Sequence, residues 1–144
     1  MRYDPELVEP MRRELTDIGV RELLTADDVD RFTAAKEGTA LLVINSVCGC
    51  AAGMARPGVR RALEHSNTPD RVATVFAGQD ADAVARARSY FGEMPPSSPC
   101  LAMFKDGELV HFVPRHRIEG REAADVAADL IAAFDRFCGV PERT

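Results

Sequence analysis

Ala40-Leu41-Leu42-Val43-Ile44 is a run of five apolar residues with no polar position among them. A half-buried strand would alternate, and a surface helix would interrupt the run every third or fourth residue. A short continuous run bounded by Gly38 and a turn predicts a strand over 39–46 that is covered on both faces, as in the middle of a parallel sheet. Such a strand needs helices above and below it. The length of 144 residues fits one domain over 1–144 with room for that core. The run ends on Asn45-Ser46-Val47-Cys48-Gly49-Cys50. A pair of cysteines one residue apart therefore sits at the exit of the most buried strand, before a small-residue segment with helical spacing.

The rest of the chain can be arranged around that strand. Leu7, Val8, Met11, Leu15 and Ile18 recur at three- and four-residue steps and predict a helix over 5–18, opened by Pro5 and stopped by Gly19. Residues 20–24 form a short edge strand. Thr25 is placed to cap a helix over 25–37, with Asp27 and Asp28 in its first turn. A helix over 50–65 should follow the cysteines, kinked or broken at Pro57. A strand over 72–77 and a helix over 80–91 come next. Residues 94–99, Met-Pro-Pro-Ser-Ser-Pro, cannot be regular structure. Asp106-Gly107 joins strands over 100–105 and 108–113 as a two-residue hairpin. Pro114 ends the second of these, and a helix over 121–137 closes the chain. This order, a βαβ unit followed by a helix, a hairpin and a terminal helix, is the thioredoxin-like plan: an α/β fold with a central mixed sheet flanked by helices and an extra N-terminal helix.

A net charge of −5 with no Lys/Arg cluster argues against nucleic acid and anionic membrane surfaces as partners. No apolar run approaches the roughly 20 residues that span a bilayer. The first residues carry charge without an apolar stretch, so no signal peptide is expected and the expected location is cytoplasmic. In a reducing compartment the four cysteines, at 48, 50, 100 and 138, are unlike structural staples. Their spacing also lacks the two CxxC arms of a zinc framework.

At a strand-to-helix junction the free N–H groups and positive end of the helix push a thiol toward thiolate, the form that attacks disulfides. Cys48, the outer of the pair, is the expected nucleophile. Cys50, one step into the helix, is the expected resolving thiol. Gly49 supplies the backbone freedom that closing so small a ring demands. A one-residue spacer predicts a strained, oxidising disulfide, or else a Cys48 that works through mixed disulfides with a small thiol. Two alternatives stand beside this. The cysteines can simply pack as small buried residues, or Cys48, Cys50 and Cys100 can hold a metal or iron–sulfur cluster.

Ser98-Pro99 opens the strand at 100, where a cis peptide would suit the turn and face the dithiol. Cys100, beside it, can be a third thiol, a ligand or a passive strand residue, the last being the plainest. Cys138 is an incidental, partly buried thiol. His65, His111 and His116 are scattered and belong to surface or loop positions, though His116 lies in a loop that can border the site. Arg115 and Arg117 flank His116 and can attract an anionic thiol.

Asn45-Ser46-Val47-Cys48-Gly49-Cys50-Ala51-Ala52-Gly53, Ala55-Arg56-Pro57, Pro95-Pro96-Ser97-Ser98-Pro99, and His111-Phe112-Val113-Pro114-Arg115-His116 with Ile118-Glu119-Gly120 together resemble the bacilliredoxin family, thioredoxin-like bacterial proteins with a CGC active site. The resemblance spans essentially the whole chain. It implies thiol–disulfide exchange: removal of bacillithiol from protein mixed disulfides, with disulfide isomerisation beside it. It assigns Cys48 as nucleophile and Cys50 as partner thiol and puts the cis proline at Pro99, with Gly49, Ser98 and Pro99 as the substrate-binding surface. No cofactor is implied; bacillithiol or another small thiol is a co-substrate, and mixed-disulfide proteins are the partners. The chain departs from the family at Cys100, where a serine is common. A non-enzymatic redox sensor, in which oxidation of the CGC pair changes partner binding, is a further alternative.

Overall fold

The computed structural model describes residues 2–34 and 36–138. The elements run α1 (Pro5–Thr16), β1 (Arg21–Glu22), α2 (Ala26–Ala34), β2 (Thr39–Asn45), a π-helical turn (Ala51–Ala55), α3 (Arg56–Ala62), β3 (Arg71–Phe76), α4 (Ala81–Arg88), β4 (Cys100–Lys105), β5 (Glu108–Val113), a 3-10 turn (Arg115–Arg117) and α5 (Ala123–Phe137). The five strands form one sheet in the order β1-β3-β2-β4-β5. β1 and β2 run parallel to β3, while β4 is antiparallel to both β2 and β5.

The apolar run is the middle strand, and all seven of its residues are buried. Its side chains alternate between two cores, as the pleat requires. Leu41 and Val43 join Leu101 and Met103 of β4 beneath α3 and α5, with Val59, Val126, Leu130 and Phe134. Leu42 and Ile44 join Ala73, Val75 and Ala102 beneath α2 and α4, with Val29, Phe32 and Ala83. Each fully buried Leu or Ile contributes about 1.5–3 kcal/mol relative to leaving it exposed, so this strand feeds both cores. On the first face α3 and α5 meet at Gly58. A Cβ there would stand 2.6 Å from Val126 Cγ1 and 3.3 Å from the Ala123 carbonyl oxygen, so only glycine lets the two helices approach this closely.

Local signals hold in most places. The Thr25 hydroxyl accepts from the Asp28 amide at 3.1 Å, although α2 is shorter than the expected 25–37. Asp106 (φ 52°) and Gly107 (φ 88°) make the tight turn of the hairpin, both in the left-handed region that such a turn needs. The segment after the cysteines differs from expectation. It does not break at Pro57. The turn before it widens instead, the Arg56 amide reaching back five residues to the Ala51 carbonyl, and Pro57 then occupies the first turn of α3. In a continuous α-helix the Pro57 ring would collide with the carbonyl four residues earlier and leave it without its donor. A π-turn absorbs that mismatch without ending the helix.

Candidate active site

β2 ends at Asn45, and the chain turns through Ser46 and Val47 to Cys48. The Cys48 carbonyl accepts the first helical bonds, from Ala51 N (3.0 Å) and Ala52 N (3.1 Å). Cys48 therefore stands at the mouth of the helix, half-buried, with Cys50 inside its first turn and only 8% exposed. Both are free thiols. The Ser46 hydroxyl donates to Cys48 Sγ at 3.3 Å.

The two thiols are electrostatically unequal. Partial burial opposes ionisation of Cys48, but the Ser46 hydroxyl, the amides of Ala51 and Cys50 and the Cys50 thiol outweigh it and hold Cys48 below the usual thiol range. Burial pushes Cys50 up. The charge on Cys48 pushes it further, and Arg115 only partly offsets the two. Hydrogen bonds to the charged form favour it and a like charge next door disfavours it, so the first proton to leave the pair leaves Cys48.

A buried arginine fixes the loop that makes this possible. Arg56 is 2% exposed. Its Nη1 donates to Asn45 Oδ1 and to the Ser46 carbonyl, each at 2.8 Å, and its Nε to Glu14 Oε1 at 2.9 Å. Asn45 in turn donates to the Met11 carbonyl at 3.3 Å and accepts from the Ser46 amide at 2.9 Å. The first helix, the end of β2 and the start of α3 are thereby joined through the two residues that precede Val47 and Cys48.

The Ser98–Pro99 peptide is cis. Ser98 shares a cleft of about 200 Å³ with Cys48, Ser46, Tyr3, Gly78 and Arg115. Arg115 is held there by its amide, which donates to Ser97 Oγ at 3.2 Å, and by Nη1, which donates to the Ser98 carbonyl at 3.3 Å. Its charge, favoured first by Cys48 and then by Cys50, is strengthened. Tyr3 arrives from the other end of the chain and has no sequence signal. Its amide donates to Gln79 Oε1 at 2.8 Å, and its carbonyl accepts from Gln79 Nε2 at 3.1 Å.

Other expected residues fall elsewhere. Gly49 has a backbone that any residue adopts and open space where a Cβ would go, so the reduced pair does not use the freedom of glycine. Pro99 is buried and does not line the cleft. His116 and Arg117 line a neighbouring groove with Met94, Pro95, Pro96 and Phe112. His111 is a strand residue paired with Asp129 Oδ1 at 2.9 Å, and His65 pairs with Asp135 Oδ1 at 2.8 Å. Cys100 is fully buried in the core under α2 and α4, the opposite face of the sheet from Cys48 and Cys50. Burial pushes its thiol up to about 11. The three cysteines thus do not converge, and among the described residues no cluster of three or more His, Cys, Asp or Glu is placed to hold a metal ion. Cys138 caps α5 beside Thr39, at the opposite end of β2 from the dithiol. Among the described residues no helix is long and apolar enough to cross a membrane.

Residues 3–138 match the family model described as Disulphide isomerase. The chain is 54% identical over 144 residues to a bacilliredoxin of Salinibacter ruber, covering 99% of this chain and 85% of that one. It is 56% identical over 135 residues to a bacilliredoxin of Cytophaga hutchinsonii, covering 94% and 99%. Among solved structures it superimposes on Fasciola hepatica thioredoxin with a TM-score of 0.56 at 19% identity (80% of this chain, 99% of that one). For a thioredoxin from Halobacterium salinarum the TM-score is 0.58 at 17% identity (87% and 96%). At such identities the likeness carries the fold alone, and that fold is the thioredoxin-like one the element order predicts.

Proposed function

The chain belongs to the bacilliredoxin family of thiol–disulfide oxidoreductases, and on that premise we propose that Cys48 strips a small thiol, bacillithiol or a close chemical relative, from protein mixed disulfides. The Cys48 thiolate attacks the sulfur of the small thiol R in protein–S–S–R. The bond between Cys48 Sγ and the sulfur of R forms as the S–S bond between that sulfur and the protein's sulfur breaks. The electron pair leaves on the protein's sulfur, which takes up a proton as pH allows. Cys50, deprotonated once the negative charge on Cys48 has been consumed, displaces RS⁻ and closes a Cys48–Cys50 disulfide. An external thiol or dithiol reductant then supplies the two electrons that reopen it. The cytoplasm, where small thiols are abundant and reduced, is the matching compartment.

The observation that carries this is the unequal pair. Ser46 and the helix amides favour the thiolate on Cys48, and the charge so created keeps Cys50 protonated until the first displacement has happened. Unequal ionisation orders the two steps: attack first, resolution second. The test is transfer from a bacillithiolated protein followed by intact mass. The unaltered chain returns reduced client protein. Cys50→Ser accumulates the Cys48–S–S–R adduct, and Cys48→Ser does neither. Full activity in Cys48→Ser refutes the assignment.

A further inference from the structure

The cleft beside Cys48 has two walls of different chemistry. On one side Tyr3 is strapped down by the paired backbone bonds to Gln79. Its ring lies against Gly78, where a Cβ would come within 2.9 Å of Tyr3 Cε2, and it remains 39% exposed. On the other side is the Arg115 guanidinium, 41% exposed. Its partners there are the Cys48 and Cys50 thiols whose charge it favours, a neutral carbonyl, Ser98 O at 3.3 Å, and the Glu119 carboxylate at the long distance of 3.5 Å. An aromatic wall and a cation with loose partners, lining one cleft with a nucleophilic sulfur, fit a ligand that is tethered through sulfur, lays C–H surface against an aromatic ring and carries a negative charge.

Resting on the transfer mechanism above, we infer that this cleft seats the small thiol R during and after attack, with Arg115 reading a carboxylate of R and Tyr3 packing against its body. When Cys48 attacks the R sulfur, R becomes covalently attached at the cleft mouth, and the carboxylate replaces the long Glu119 contact on Arg115. Planar guanidinium donors match a carboxylate in two parallel bonds. The chain therefore discriminates among small thiols by their charge at a distance from the sulfur, and Arg115 and Tyr3 are its specificity-determining residues.

The experiment compares second-order rates of transfer from one client protein carrying glutathione, bacillithiol, the carboxylate diester of each, or β-mercaptoethanol. The unaltered chain takes the free acids about tenfold faster than their diesters, the preference shrinking with added salt because the arginine is exposed. Arg115→Gln abolishes that ratio, and Arg115→Lys restores part of it. Any effect of Arg115 on the ionisation of Cys48 falls equally on acid and ester and cancels in the ratio. Tyr3→Ala leaves the acid-to-ester ratio in place and slows both relative to β-mercaptoethanol by roughly twofold to tenfold. The arm with the larger ratio identifies which small thiol the cleft fits. An acid-to-ester ratio near one for both thiols, or one unchanged by Arg115→Gln, overturns the assignment while transfer itself persists. No transfer from any of the five disulfides refutes the mechanism of Cys48 and, with it, the seat.

Discussion

Replacing Ser46 by alanine removes one hydroxyl and makes the rate of Cys48 cross over with pH. The hydroxyl donates to Cys48 Sγ at 3.3 Å and is the leading favourable influence on a thiol that burial otherwise pushes upward. A hydrogen bond to a charged acceptor is worth about 1.5–3 kcal/mol against about 0.5–1.5 for a neutral one. The differential, about 1 kcal/mol, lowers the ionisation constant of Cys48 roughly fivefold to tenfold. Below the thiol's pKa the thiolate fraction falls by that factor. A more basic thiolate is also a better nucleophile, with a Brønsted coefficient of about 0.4–0.5. The two effects leave Ser46→Ala about threefold slower at pH values below the Cys48 pKa. In alkaline solution, where both proteins are fully ionised, only the second survives and the variant is about twofold to threefold faster. The assay is exchange of Cys48 with a small neutral disulfide, followed by peptide mass spectrometry across the pH range. A variant slower by one constant factor at every pH refutes the reasoning. It would mean that Ser46 acts on the position of the sulfur and not on its charge.

Two further outcomes follow from burial. Cys100, fully buried and pushed up to about 11, resists maleimide in the native protein while Cys48 is modified first, and Cys100→Ala retains transfer within about twofold of the original rate; labelling of native Cys100 at the pace of Cys48 would contradict its placement. Gly58→Ala drives a methyl into Val126 and costs about 1–3 kcal/mol by denaturant titration. Gly53→Ala, with nothing within 4 Å of the new methyl, costs nothing, and equal losses for the two would show that α3 and α5 are not in contact at Gly58.

The fold was legible where the sequence carries its own geometry. Leu41 to Ile44, an unbroken apolar run too short for a buried helix and bounded by Gly38 and a turn, reads as a strand covered on both sides, and Asp106-Gly107 reads as a tight turn. The widened turn before Pro57 was not legible, because apolar spacing does not distinguish a five-residue helical repeat from a four-residue one over a single turn. The side of the sheet taken by Cys100 was in principle available. Ile44 pairs with Cys100 and Val43 with Leu101, so the two-residue period of a strand sets Cys100 and Leu101 on opposite faces; proximity to Pro99 in sequence does not decide which face each takes. Arg56 was hidden by the rule that charges stay outside, which gives way here because three acceptors converge on one guanidinium. Tyr3 and Arg115 reach Cys48 from 45 residues before it and 67 after it, and only the tertiary fold brings them to one cleft.

Under the mechanism proposed for Cys48, the bonds of Arg56 to Glu14, Asn45 and Ser46 tie its reactivity to the completed fold. In a chain still emerging or refolding, Ser46 is not held, the helix amides are not aligned, and Cys48 is as inert as any free thiol. The reactive sulfur exists only once the first helix has docked against the end of the central strand and the third helix has carried its guanidinium beneath the loop. Reactivity is thus an output of completed folding. An unfinished molecule cannot exchange disulfides with its own remaining cysteines faster than any ordinary peptide would.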